Sequence, residues 1–428
     1  MAQLNSGDTA WMLISSAIVL FMTPGLAFFY GGMVRAKNVL GMIMQNFFVI
    51  GIVTLVWSLV GFSLAFGDSN GFWGGFHYSA LQNLSAGDGA IPYVVFVAFQ
   101  LMFAIITPAL ITGAVADRMK FSAFAVFVTL WSLLVYSPIA HWVWASNGWL
   151  FKRGAMDFAG GTVVHANAGI AAIVLALVLG KRVGWPKGDF RPHNVPFVLL
   201  GTGILWVGWF GFNAGSALAA NKLAGLALLN TQIATGVAIL GWLAIERLRD
   251  GKATTLGAAS GAVAGLVAIT PACGFVSPMG SIAVGGLAGV ICALATSIKG
   301  KVGVDDSLDV GAVHLVGGVL GALLTGLFAT VDTNPAGKDG LFYGGPASVF
   351  GEQALAVGAT LGYSAVVTLI IALAIKYTIG LRLSDDDQVT GMDEALHGET
   401  AYRYTSIGGG GSLTSSVTPA KVPEEAQA

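Results

Sequence analysis

Eleven apolar stretches occupy most of this chain, near 8–33, 39–66, 91–115, 121–143, 158–180, 196–218, 225–246, 254–274, 280–298, 308–332 and 350–380. Crossing about 30 Å of hydrocarbon takes roughly 20 apolar residues as a helix. In lipid every backbone polar group must be satisfied within the segment, which leaves helices as the spanning element here. The expected fold is therefore an all-α polytopic membrane protein with eleven transmembrane helices. Only 10% of the 428 residues are charged, against about 25% in a soluble domain. A soluble enzyme or a disordered scaffold does not fit that surface. The formal net charge of −1 argues against nucleic acid as a partner.

Loop charges set the orientation. With the N-terminus outside, only Lys152, Arg153, Lys222 and Lys338 face out, leaving 17 of the 21 Lys and Arg on the inner side. That is a strong positive-inside bias. It predicts N-out and C-in, which requires an odd number of spans. MAQLNSGDTA lacks the positive start of a secretory signal, so the first apolar stretch reads as a retained span. Gly257, Gly261 and Gly265, and then Gly285 and Gly289, repeat a small-xxx-small spacing that lets helices approach closely.

Two ionisable residues sit inside apolar helices, His165 in DFAGGTVVHANAG and His314 in DVGAVHLVGG. Charge inside a membrane is costly and marks function by default. The alternative for either one alone is a structural hydrogen bond. The two segments stand 149 residues apart, in spans 5 and 10, which run in opposite directions. The arrangement predicts two inverted five-helix repeats plus an eleventh helix, with a path between the halves at the midplane. At 1.5 Å per residue His165 lies about 12 Å past Asp157. His314 follows Asp309 more closely, and so lies less deep unless its helix begins earlier. Asp157 also suits a helix N-cap. Cys273 and Cys292 read as core residues, and no HxxxH or CxxC spacing suggests a metal.

Taken with GWFGFNAGSA at 208–217, TPACG at 270–274 and AFQLMFA at 98–104, the span 5 segment resembles the ammonium transporter (Amt/Mep/Rh) family, on its bacterial Amt branch. The resemblance runs from about residue 8 to Tyr404. It implies selective ammonium transport, with ammonium or ammonia as substrate and methylammonium as an analogue. It implies recruitment by Phe103, Trp144 and Ser216 with Asp157 nearby, and a gate of Phe103 with Phe212. It implies a pore lined by His165 and His314, and entrance positions at Phe99, Gln100, Trp209 and Thr270. Many relatives carry Gly after the second His, where this chain has Leu315.

The resemblance further implies a homotrimer with one pore per subunit in the inner or plasma membrane. Residues 382–404 resemble the family's C-terminal region, on which a PII signalling protein would dock. Two regions follow: a transporter domain over 1–380 and a cytoplasmic region over 381–428, whose last 24 residues read as disordered. Neither a metal nor a cofactor is expected, and no nucleophile–base pair suggests an enzyme. An ammonium sensor signalling to a cytosolic partner is the alternative.

Overall fold

The computed structural model describes residues 3–402, so the expected disordered tail at 405–428 lies outside the described residues. All regular structure among them is helical. Ten helices are long and apolar enough to span a membrane. They are α1 (Ser6–Met33), α2 (Ala36–Phe66), α3 (Tyr93–Val115), α4 (Phe121–Arg153), α5 (Gly161–Leu179), α6 (Val195–Gly215) and α7 (Lys222–Asp250). After the shorter α8 (Thr255–Ile269) come α9 (Pro278–Val302), α10 (Gly311–Phe328) and α11 (Ala347–Thr378). Two short helices, α12 (Asp385–Thr390) and α13 (Met392–His397), follow.

Ten of the eleven expected spans are helices long enough to cross a membrane, and the remaining one, α8, is apolar but has only 15 residues. Pro271 lacks the N–H and the steric freedom to continue a helix. The expected span at 254–274 therefore ends in a tight corner, and that corner carries Thr270.

Polar caps fix where several helices begin. Asn194, Asn221, Thr254 and Ser277 accept from the N–H groups of Phe197, Ala224, Gly257 and Gly280. Each satisfies a donor the first turn would otherwise leave orphaned. The spaced glycines bring α7 against its neighbours: a Cβ at Gly289 would lie 2.2 Å from the Ala238 carbonyl oxygen.

One end of the bundle carries the long 67–92 loop, here the loop end. The other, the basic end, holds a buried ionic cluster. Arg182 pairs with Asp305 at 2.8 Å and Asp117 at 3.4 Å, and Arg35 reaches Asp117 at 3.2 Å. Arg118 donates to the carbonyls of Gly180 and Asp305. Burial lowers its guanidinium to about 10. The segment after α11 is pinned beside this cluster: Leu383 N–H donates to Arg118 O at 2.9 Å. Gly41 N–H donates to the Asp393 carboxylate and Met392 N–H to Asn38 Oδ1, both at 2.8 Å.

Candidate functional site: two cavities joined by a histidine pair

His165 lies on a π-helical turn, Gly161–Ala166, at the start of α5. Asp157 caps that turn with both oxygens. Its Oδ1 accepts from Gly160 N and Gly161 N at 2.8 and 2.7 Å, and its Oδ2 from Thr162 N and Val163 N at 2.9 and 3.0 Å. Carboxylates favour such a site because orphan N–H groups and the helix dipole both point at it.

The second histidine repeats the device with a different partner from the one the sequence suggests. His314 lies on the π-helical turn Gly311–Leu315. The carboxylate beneath it belongs to Asp306, which accepts from Val310 N at 3.2 Å and Gly311 N at 2.7 Å. Asp309 instead adopts φ +60° and pairs with Lys299 at 2.8 Å. Each histidine is therefore eight residues past its capping aspartate, 157 to 165 and 306 to 314. The two are equally deep in their helices, because the second helix takes its cap from before Asp309. The repeated Asp-x7-His spacing was present in the sequence and would have identified Asp306.

The two turns pack against each other reciprocally. Gly169, four residues past the first histidine, faces the Leu315 backbone, where a Cβ would lie 2.4 Å from Leu315 N. Gly318, four past the second, faces Ala166 N, where a Cβ would lie at 2.7 Å. Leu315 also lines a separate pocket with Ile173 and Val316.

This close approach brings His165 Nδ1 within 3.3 Å of His314 Nδ1, with the rings 5.4 Å apart and inclined by 23°. Both side chains are buried. Two nitrogens so placed share one proton, one donating and the other accepting. His165 Nε2 is buried and has no hydrogen-bond partner among the described residues. Trp209 stacks on His165 at 5.4 Å and donates Nε1–H to Thr270 Oγ1 at 2.9 Å. The corner after α8 thus fixes the ring that covers the histidine.

Toward the loop end, Phe103 and Phe212 block the way, with ring centroids 4.2 Å apart. Beyond them lies a cavity of about 130 Å³ lined by Phe66, Phe96, Gln100, Phe103, Trp144, Phe158, Ser216 and Leu218. Trp144 stands perpendicular to Phe103 at 5.7 Å, held by Nε1–H donated to the Asp157 carbonyl at 3.0 Å. The Ser216 hydroxyl donates its proton to Phe212 O at 2.8 Å, so toward the cavity its oxygen is an acceptor. Gln100 Oε1 is buried without a partner among the described residues.

Of the expected residues, Phe103, Trp144, Ser216 and Gln100 line this cavity and Phe212 closes its floor. Phe99 packs behind Phe103 at 4.9 Å. Asp157 does not line it: it lines a neighbouring cavity with Trp144 and Phe158 while its carboxylate caps the His165 turn. Phe66, Phe96, Phe158 and Leu218 line it without having been expected; they come from separate elements and carry no local motif. Beyond His314, toward the basic end, a second cavity of about 170 Å³ opens between Phe29, Tyr30, Trp242, Ser260, Asp309 and His314. It too went unforeseen.

Residues 10–402 match the model of the Ammonium Transporter Family. An "Ammonium transporter" of Mycobacterium tuberculosis (strain ATCC 25618 / H37Rv) is 54% identical over 98% of this chain and 94% of its own length. The crystal structure of Saccharomyces cerevisiae Mep2 is 36% identical, with a TM-score of 0.84 over 90% of this chain and 89% of that one. A solved structure described as a "Sensor Amt Protein" is 29% identical, with a TM-score of 0.85 over 91% and 98%. The chain is a multi-pass membrane protein and belongs to the Ammonium Transporter Family.

Proposed function

We propose that this protein carries ammonium selectively across the membrane, binding it as the ion and conducting it as ammonia. The observation that carries the reading is one line of features: an aromatic cavity with acceptor oxygens, a phenylalanine pair, two touching histidines, then a second cavity.

A cation over an aromatic face gains about 0.5–2 kcal/mol. Phe103 and Trp144 offer two faces, while Ser216 Oγ and Gln100 Oε1 accept N–H bonds. Potassium would enjoy the same faces, so recruitment alone does not select. Moving an intact ion past the Phe103–Phe212 pair carries a Born cost of tens of kcal/mol, which a neutral molecule mostly avoids. Ammonium can leave a proton at the gate; potassium cannot. The released proton follows through the His165–His314 contact, because each imidazole accepts at one nitrogen and donates at the other. Asp157 acts by holding Trp144 and the His165 turn. Trp209 and Thr270 hold the ring stacked on His165, and Phe99 supports the gate from behind.

The loop end is then outside and the basic end inside, with eleven crossings, N-terminus out and C-terminus in. The 17-to-4 distribution of Lys and Arg supports this orientation. The reciprocal Gly169 and Gly318 contacts support two inverted five-helix repeats. On this reading 1–380 is the transport domain and 381–428 a cytoplasmic region, in a homotrimer of the cell membrane. The docked segment 381–402 offers a surface for a PII signalling protein. Likeness to a sensor protein makes sensing the second reading.

Proteoliposomes separate the two. An ammonium concentration jump evokes a sustained, saturating current from a transporter and a potassium jump evokes none. Ammonium binding without current or flux would favour the sensor.

A further inference from the structure

Two cavities at the loop end share one partition. The recruitment cavity of about 130 Å³ and a neighbouring one of about 360 Å³ are both lined by Trp144 and Phe158. Their chemistry differs. Only the smaller presents Ser216 and Gln100, the acceptors for N–H groups. The larger is rimmed by exposed Phe151 and by exposed Lys338, whose ammonium group lies beside Gly154. A cation is therefore favoured on one side of the partition and opposed by like charge on the other.

Each half of the partition has its own support. Trp144 is held by its Nε1–H bond to the Asp157 carbonyl at 3.0 Å. Phe158 is seated by the corner after α8. Its N–H donates to Pro271 O at 3.1 Å, and its ring meets Phe275 edge-on at 5.6 Å. Gly274 leaves room for that ring, since a Cβ there would lie 2.1 Å from Phe158 Cε2. Side chains packed this closely do not give way to a larger ligand without cost.

We propose that Phe158 sets the upper size of the cation the recruitment cavity accepts, holding it to ammonium and its smallest alkyl derivatives. The proposal rests on the recruitment reading and adds to it the residue that limits the substrate class. Trp144 supplies a binding face, whereas Phe158 closes the side through which a bulkier cation would extend. With Phe158 cut back the two cavities join. The methyl groups of a larger cation then project into the larger space while its N–H still reaches Ser216 Oγ or Gln100 Oε1. One methylene group in an apolar pocket changes binding roughly 10- to 200-fold, so relief of this exclusion is large enough to measure.

The test reads binding by thermal midpoints of the purified full-length protein in detergent. Ammonium or trimethylammonium chloride is titrated against sodium chloride at equal ionic strength, because a ligand held only by the folded state raises the midpoint. The wild type should bind trimethylammonium far more weakly than ammonium. Phe158→Ala should lower the ratio of the two apparent dissociation constants, trimethylammonium to ammonium, at least tenfold. Phe158→Leu, a smaller cut that keeps the site partly filled, should lower it less and serves if the alanine variant does not fold. Phe151→Ala, which lines only the larger cavity, should leave the ratio unchanged. An unchanged ratio in the Phe158 variants overturns the proposal, as does an equal change from Phe151→Ala. Absence of ammonium current with the ratio shifted would sink transport and leave the size limit standing. Normal current with an unshifted ratio would do the reverse.

Discussion

His165 Nδ1 and His314 Nδ1 face each other at 3.3 Å, a distance that allows one proton between them and excludes two. The two imidazoles must therefore hold opposite tautomers, one protonated at Nδ1 and the other at Nε2. Nitrogen-15 spectra of histidine-labelled protein in bilayers should show one ring of each kind. Finding both rings in the same tautomer would break the contact on which proton transfer depends.

The loop-end cavity should govern apparent affinity more than maximal rate. Trp144→Leu removes one aromatic face, for which about 0.5–2 kcal/mol is expected, or roughly 2- to 30-fold at 1.4 kcal/mol per tenfold. Ser216→Ala removes an acceptor and should weaken the concentration dependence in the same direction. Ammonium currents that half-saturate at unchanged concentrations in the double variant would contradict recruitment at this cavity.

Asp157 makes a stability prediction that separates capping from ion contact. Asp157→Ala leaves four N–H groups at the start of the His165 turn without their acceptor. Loss of an N-cap alone costs about 0.5–2 kcal/mol, and burial of the orphaned donors adds to that. The thermal midpoint in detergent should fall clearly, with Asp157→Asn, which keeps one acceptor oxygen, falling less. An unchanged midpoint with weakened ammonium affinity would instead make Asp157 a direct ligand.

Its counterpart Asp306 makes a pH prediction. Burial, and then the neighbouring Asp309 carboxylate, raise Asp306 from the usual carboxylate range to about 6. A carboxyl raised in the folded state binds its proton more tightly than in the unfolded chain. The stability it contributes is therefore present at low pH and is lost as pH rises from about 4 through about 6. Thermal midpoints of wild type relative to Asp306→Asn should decline across that window and level off above it. A difference that grows with pH would show the opposite shift.

The docked C-terminal segment depends on Gly391, which sits at φ +115° with Lys37 only 2.7 Å from where a Cβ would be. Both the backbone and the space exclude a larger residue there. Gly391→Ala should release residues 381–402 from Asn38 and Gly41, and limited proteolysis should then cut that segment faster. Equal cleavage rates would mean that the contacts near Gly391 do not hold it down.

Ten spans were legible because membrane helices need long apolar runs. The histidine pair was legible because ionisable groups stand out in apolar sequence. Pro271 was visible too, but hydropathy alone could not say that α8 would stop at Ile269 and hand Thr270 to Trp209. Asp309 misled because it lies nearest the second helix; the identity of the cap follows from backbone direction, and φ +60° turns Asp309 toward Lys299 instead. The π-helical turns left no trace in composition. Phe66, Phe96 and Phe158 meet only in three dimensions.

The central claim is that the proton leaves ammonium and crosses by the two histidines while the nitrogen passes as ammonia. The most direct measurement is the ammonium-evoked current in proteoliposomes for wild type and for the His165→Ala, His314→Ala double variant, with potassium jumps as control. The account predicts a saturating ammonium current without potassium response in the wild type, and at least a tenfold loss of that ammonium-specific current in the variant. An undiminished current with unaltered discrimination against potassium would contradict it.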